Sequence, residues 1–205
     1  MDTEIATAMW AQGQSVVNDA RAPCTHTGSS SGRKPPKGPD GLLTAGTSGE
    51  SGDAAYWQAR QDALGLITHG KRLEPDEVVF CERLARIHPD IPLHEQIEWL
   101  PDGQRINGKT QPSNDFIWLS MGGIEVELKS TGSPTSITTR IWKAVNQAWV
   151  SNGFVKENFV VDIGDLKLTD DLRNTLAGYN LSESGRPVKR IFVMWQRRIE
   201  EITLN

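Results

Sequence analysis

Residues 115–129 read DFIWLSMGGIEVELK. From Ile124 to Lys129 apolar and charged residues alternate with the period of a strand, and Gly122-Gly123 just before them is turn chemistry. DFIWLS and IEVELKS therefore read as two antiparallel strands of a hairpin. On the second strand Glu125, Glu127 and Lys129 share one face, while Ile124, Val126 and Leu128 share the other. Asp115, at the start of the first strand, falls across the hairpin from Glu127. Two carboxylates and an ammonium are thus brought together by local pairing, which is a metal site in outline. A hard divalent cation, Mg²⁺ or in its place Mn²⁺, takes oxygen ligands and keeps several waters, so two carboxylates and a main-chain carbonyl suffice. Lys129 is then placed to orient a water or to meet charge developing on a phosphate. Glu125 shares the face and is expected to support the site from the side.

Working outward, Glu74-Pro75-Asp76 sets a helix start, and Val78, Val79, Leu84 and Ile87 recur on one side until His88-Pro89 ends the run. An acid from this helix would complete the metal shell; Glu82 is the choice, with Glu77 as the alternative. LHEQIEWL, closed by Pro101-Asp102-Gly103, reads as a strand preceding the hairpin. After the hairpin, SITTRIWKAVNQAWV spaces Ile137, Ile141, Ala144, Val145, Ala148 and Trp149 as a helix; NFVVDI, TDDLRNTLAGY and RIFVMWQ then read as strand, helix and strand. The order α-β-β-β-α-β-α-β predicts an α/β fold with a mixed central sheet flanked by helices.

The helix carrying Glu82, then Asp115, then Glu127-Leu128-Lys129, with helix and strand following, resembles the PD-(D/E)xK, or restriction-endonuclease-like, nuclease superfamily. Its α-β-β-β-α-β core and its metal-binding Asp and (D/E)xK motif correspond to residues 74–197, with Asp115 and Glu127/Lys129 at the motif positions. Asn114 stands where the family often has proline. The resemblance implies a Mg²⁺-dependent endonuclease in which Asp115, Glu127 and Glu82 hold the metal and Lys129 activates the nucleophilic water. A short nuclease domain behind a low-complexity connector is also similar to the C-terminal toxin domains of contact-dependent growth inhibition and related polymorphic toxins. The stretches that carry this are ELKS, IWKAVNQA, NFVVDIGD and RIFVMW; no VENN motif is present, Val16-Val17-Asn18-Asp19 being its nearest echo. That likeness implies an RNase directed at tRNA and a cognate immunity protein as partner. It further implies delivery from the cell surface within a larger secreted protein and action in the bacterial cytoplasm. Two other readings share the same residues: a DNA endonuclease of restriction, repair or DNase-toxin type, and an inactive nuclease-like interaction module.

Composition sets the outer bounds. At 205 residues, 37% hydrophobic and 23% charged, the chain has room for one well-buried domain. No apolar run is long enough to span a membrane, and the acidic start MDTEIATAMWAQG does not read as a secretory signal. A net charge of −4 argues against a general nucleic-acid coat but not against a nuclease, whose bound cation reverses the local sign. From Arg21 to Asp53 the chain is rich in Gly, Ser, Thr and Pro and cannot bury a core. The folded domain is therefore placed at 56–205. Residues 1–55, with one short helix between Ile5 and Val17, are left as a flexible tether or delivery segment. Cys24 and Cys81 cannot build a disulfide framework, and a reducing compartment is the expectation. Arg140 and Lys143, on the helix after the catalytic strand, and Lys189 and Arg190 are the basic residues expected to contact nucleic acid. Arg186, Arg197 and Arg198 belong to the same C-terminal cluster. Trp142 and Trp149, seven apart on one helical face, are expected to pack in the core.

Overall fold

The computed structural model describes residues 54–182 and 186–205. The helix read between Ile5 and Val17 and the stretch from Arg21 to Asp53 lie outside the described residues. Helices α1 (Ala54–Ala63) and α2 (Pro75–Ile87) are followed by a single turn, α3 (Leu93–Gln96), and strand β1 (Ile97–Trp99). A small hairpin, β2 (Arg105–Ile106) and β3 (Lys109–Thr110), precedes β4 (Phe116–Trp118) and β5 (Ile124–Ser130). Then come α4 (Ile137–Asn152), β6 (Asn158–Asp162), α5 (Asp170–Ala177), α6 (Tyr179–Ser182), β7 (Arg190–Trp195) and β8 (Arg198–Ile202).

Six strands form one mixed sheet in the order β1-β4-β5-β6-β7-β8. The β1-β4-β5 portion and the β7-β8 pair are antiparallel, and β5-β6-β7 run parallel. The α/β reading with helices on both faces therefore holds. Each face buries its own cluster. On one side Phe80, Cys81 and Leu84 of α2 meet Trp99, Phe116, Trp118, Val126, Leu128, Val160 and Phe192. On the other, Ile137, Ile141 and Val145 of α4 and Leu172 and Leu176 of α5 meet Phe159, Val161, Ile191 and Val193. The alternation of β6 and β7 between the clusters is the two-sided burial of a parallel sheet.

The local causes are legible. Pro75 at the first turn of α2 needs no hydrogen-bond acceptor, and the Glu74 N–H is met by Glu77 Oε2 at 2.7 Å, a reciprocal cap. The α4 helix stops at Gly153, whose φ of 73° is open to glycine at little cost and whose N–H closes on the Trp149 carbonyl. Arg83 of α2 reaches across to Asp162 at the end of β6, at 3.3 Å, tying helix to sheet.

Burial pushes the Asp162 carboxyl above its ordinary 3.8, against the pull of Arg83 and of the Gly164 N–H. A carboxyl whose folded pKa is raised holds its proton more tightly in the fold. Its contribution to stability is present below the unfolded value and lost as pH rises through the folded one. Asp162→Asn cannot titrate, so in urea melts the variant should gain on the parent as pH is raised from 3.8. Parent and variant curves that stay parallel would contradict this.

Several elements differ from expectation, α1 among them. Leu93–Gln96 is a helical turn and not the first half of a strand, because Pro92 opens it and the buried Gln96 side chain donates to the Ile91 carbonyl at 2.6 Å. The β2–β3 hairpin and the final strand β8 were not anticipated. The β7–β8 turn is Gln196-Arg197, with Gln196 at φ 51° and none of the Gly, Asn or Asp that normally marks such a turn. Trp142 and Trp149 do share a face of α4, but are 41% and 45% exposed. The buried stripe of that helix runs through Ile137, Ile141, Val145 and Ala148, and both tryptophans stand beside it.

Candidate active site

Strand β5 differs from its parallel neighbours in one respect. On the α2 side it contributes Val126 and Leu128 to the core, but on the α4 side it presents Glu125, Glu127 and Lys129 in place of apolar residues. This is not a solvated strand face, since Glu127 is only 6% exposed. Its Oε1 accepts from Lys129 Nζ, which also donates to the Leu128 carbonyl at 3.1 Å. Its Oε2 accepts from Nζ of Lys156, which also donates to the Ser113 carbonyl. A buried carboxylate is thereby held between two ammonium groups.

Asp115 joins this cluster through the hairpin register. Phe116 pairs with Val126, so Asp115 stands opposite Glu127, as the alternation of residues 115–129 requires. Its own N–H still bonds the Val126 carbonyl at 3.0 Å. Its carboxylate Oδ2 accepts the Leu128 N–H at 2.7 Å, taking the place of the next strand bond. Burial pushes the Asp115 carboxyl above its ordinary 3.8, and the Glu127 charge pushes the same way; the Leu128 N–H, Lys129 and Lys156 oppose both.

The cluster opens into a cleft of about 430 Å³. Thr110 and Pro112 form one side; Arg140, Lys143, Gln147 and Ser151 of α4 form another; Glu127, Lys129 and Lys156 lie between. Four cationic side chains and one carboxylate line it, so the lining carries an excess of positive charge. Arg140 is fixed by its Nη1, which donates to the Ser130 carbonyl at 2.6 Å, whereas Lys143 stands exposed.

The acid chosen from α2 does not join this group. Glu82 is bound by Arg60 of α1, whose Nε donates to its Oε1 at 2.6 Å and whose Nη2 donates to its Oε2. The alternative, Glu77, is the one whose charge couples to Asp115. Burial raises its carboxyl above the ordinary 4.5; Glu74 N–H and Lys71, at 3.1 Å, pull it back, and Asp115 adds to the rise. Five residues along a helix is a rotation of about 140°, so Glu77 and Glu82 cannot face the same partner. Among the described residues no three His, Cys, Asp or Glu side chains gather as a metal-ligand group. The donors at hand are Asp115, Glu127 and the Leu128 carbonyl. All are oxygens, the donor type that Mg²⁺ takes, but Glu127 and the Leu128 carbonyl accept here from Lys129 and Lys156, so an ion would have to displace those ammonium groups.

The C-terminal basic residues lie elsewhere. Lys189 pairs with Glu157 at 2.7 Å and Arg190 with Glu201 at 2.7 Å. Both line a second depression, of about 380 Å³, with Asn114 and Glu125. Glu125 is held there by Asn114 Nδ2 at 2.8 Å. Arg186 donates to Asn146 Oδ1 at 2.6 Å and lies over the Trp149 ring. Lys156 is the residue that sequence reasoning missed. It sits between α4 and β6, outside any motif, and its one signal is its place just before a strand that pairs with β5.

Comparison with family models, with curated proteins and with solved structures finds no match. Among the described residues no helix is long and apolar enough to cross a membrane.

Proposed function

We propose that this cleft hydrolyses phosphodiester bonds of nucleic acid in a divalent-metal-dependent reaction. The observation that supports it best is the buried Glu127, beside Asp115 and clasped by Lys129 and Lys156, at the base of a cationic cleft. Phosphate is the anion that such a cleft fits, with Arg140 and Lys143 available to the flanking backbone. Asp115, Glu127 and the Leu128 carbonyl would hold Mg²⁺, which when bound supplies Lewis-acid polarisation and a more acidic water. Lys129, released from Glu127 and the Leu128 carbonyl when the ion is bound, would position an attacking water and meet charge developing on the phosphate. The resemblance to growth-inhibition toxin domains favours RNA, and tRNA in particular, with a cognate immunity protein blocking the cleft.

The test is incubation of the full chain and of Lys129→Ala with total tRNA and with plasmid DNA, in Mg²⁺ and in EDTA. The parent should cut tRNA into discrete fragments only with Mg²⁺, and the variant should be slower by about a hundredfold or more. A variant as active as the parent would remove Lys129 from the mechanism. Nicking of DNA instead would move the assignment to a DNA endonuclease. Cleavage of neither would leave the interaction-module reading.

A further inference from the structure

The donor count at Glu127 carries a more specific conclusion. A lysine ammonium has three N–H donors and no acceptor. Lys129 spends two of them, on Glu127 Oε1 and the Leu128 carbonyl. Lys156 likewise spends two, on Glu127 Oε2 and the Ser113 carbonyl. Each retains one donor, and both side chains line the same cleft. Lys156 is only 7% exposed, and burying a long cationic side chain is costly unless it is paired. At the base of the cleft the two ammonium groups balance Glu127 and Asp115, and Arg140 and Lys143 on the wall add the net positive charge. Asp115, on the neighbouring strand, already has one oxygen on the Leu128 N–H.

We infer that Lys156 and Lys129 together form a phosphate-binding clamp. Their remaining N–H donors would grip non-bridging oxygens of one phosphate, and Glu127 holds the two ammonium groups at the spacing for it. The inference deepens the nuclease reading and rests on it for the nature of the anion. It assigns to Lys156, a residue outside the motif, direct contact with substrate. It also means that the clamp binds phosphate without any metal, because both cations belong to the chain.

The probe is inorganic phosphate, titrated into the full-length protein in EDTA and followed by NMR shifts of the backbone amides of Leu128 and Lys129. The parent should bind. Lys156→Met should weaken binding about tenfold or more, the scale of one charged hydrogen bond. Lys156→Arg, which keeps charge and donors, should restore most of it. Glu127→Gln keeps one acceptor oxygen, so it frees a donor on one lysine and removes the competing negative charge; phosphate should bind more tightly while cleavage is lost. Lys156→Met binding like the parent, failure of arginine to rescue, or no phosphate binding by the parent would each overturn the clamp. If Lys156→Met does not fold, Glu127→Gln decides, and unchanged affinity in that variant overturns it. The two readings fail separately. Phosphate binding with no cleavage of any nucleic acid defeats the nuclease and keeps the clamp; Mg²⁺-dependent cleavage with a silent Lys156 does the reverse.

Discussion

Glu127→Ala should lose both cleavage and about 3–5 kcal/mol of stability, the cost of removing one partner from a buried ion pair. Its carboxylate is hydrogen-bonded to both ammonium groups of the site, Lys129 on one oxygen and Lys156 on the other, with Asp115 as the further negative charge near them. Alanine strands them together. Lys156 has little water to turn to, its side chain being 8% exposed, and its other contact is a neutral carbonyl. Two like charges would then face each other across a cavity with Asp115 alone to offset them. Lys129→Ala is different in kind, because Glu127 keeps Lys156 and the lost ammonium was partly solvated. That variant should stay close to the parent in stability while losing activity. Urea denaturation of both, read beside their cleavage rates, separates the two roles. If Glu127→Ala proves as stable as the parent, the three groups are not a structural network at all.

This asymmetry shows which part of the site could be read from the chain. Asp115, Glu127 and Lys129 come together through one hairpin, whose alternation and Gly-Gly turn are local signals. The register follows from them, and the structure pairs Phe116 with Val126 accordingly. Lys156 reaches Glu127 only because β6 lies parallel to β5, a pairing separated by a whole helix and carrying no local mark. The partner of Glu82 lies on the far side of that divide. On an amphipathic helix Glu77 and Glu82 flank the same buried stripe, and what separates them is α1, whose Arg60 captures Glu82. No pattern within α2 encodes that partner. The tryptophans of α4 show the same limit: seven-residue spacing places them on one face, but which face the sheet covers is decided by Ile137, Ile141 and Val145 packing on β6 and β7.

The core under the hairpin bears on the site just as directly, and Phe116→Ala should cost about 3–5 kcal/mol. Phe116 is fully buried and its ring lies 5.5 Å from that of Phe80, 5.4 Å from Trp99 and 6.1 Å from Trp118. It is thus the link between α2, β1 and β4. Truncation leaves a cavity bounded by large rigid rings, which relax poorly, so the loss belongs near the upper part of that range. The consequence extends beyond stability because Phe116 is next in sequence to Asp115. The Asp115 carboxylate is held by one main-chain bond, from Leu128, at the point where β4 stops pairing. Any shift of Phe116 into the cavity moves the end of β4 and with it that carboxylate. Phe116→Leu, which fills more of the space, should fold well yet cleave more slowly than the parent, with a larger Mg²⁺ requirement. Urea melts give the first effect and a Mg²⁺ titration of cleavage by the leucine variant gives the second. A leucine variant with unaltered Mg²⁺ dependence would mean that Asp115 is placed by its strand bonds alone, independent of the aromatic core beneath it.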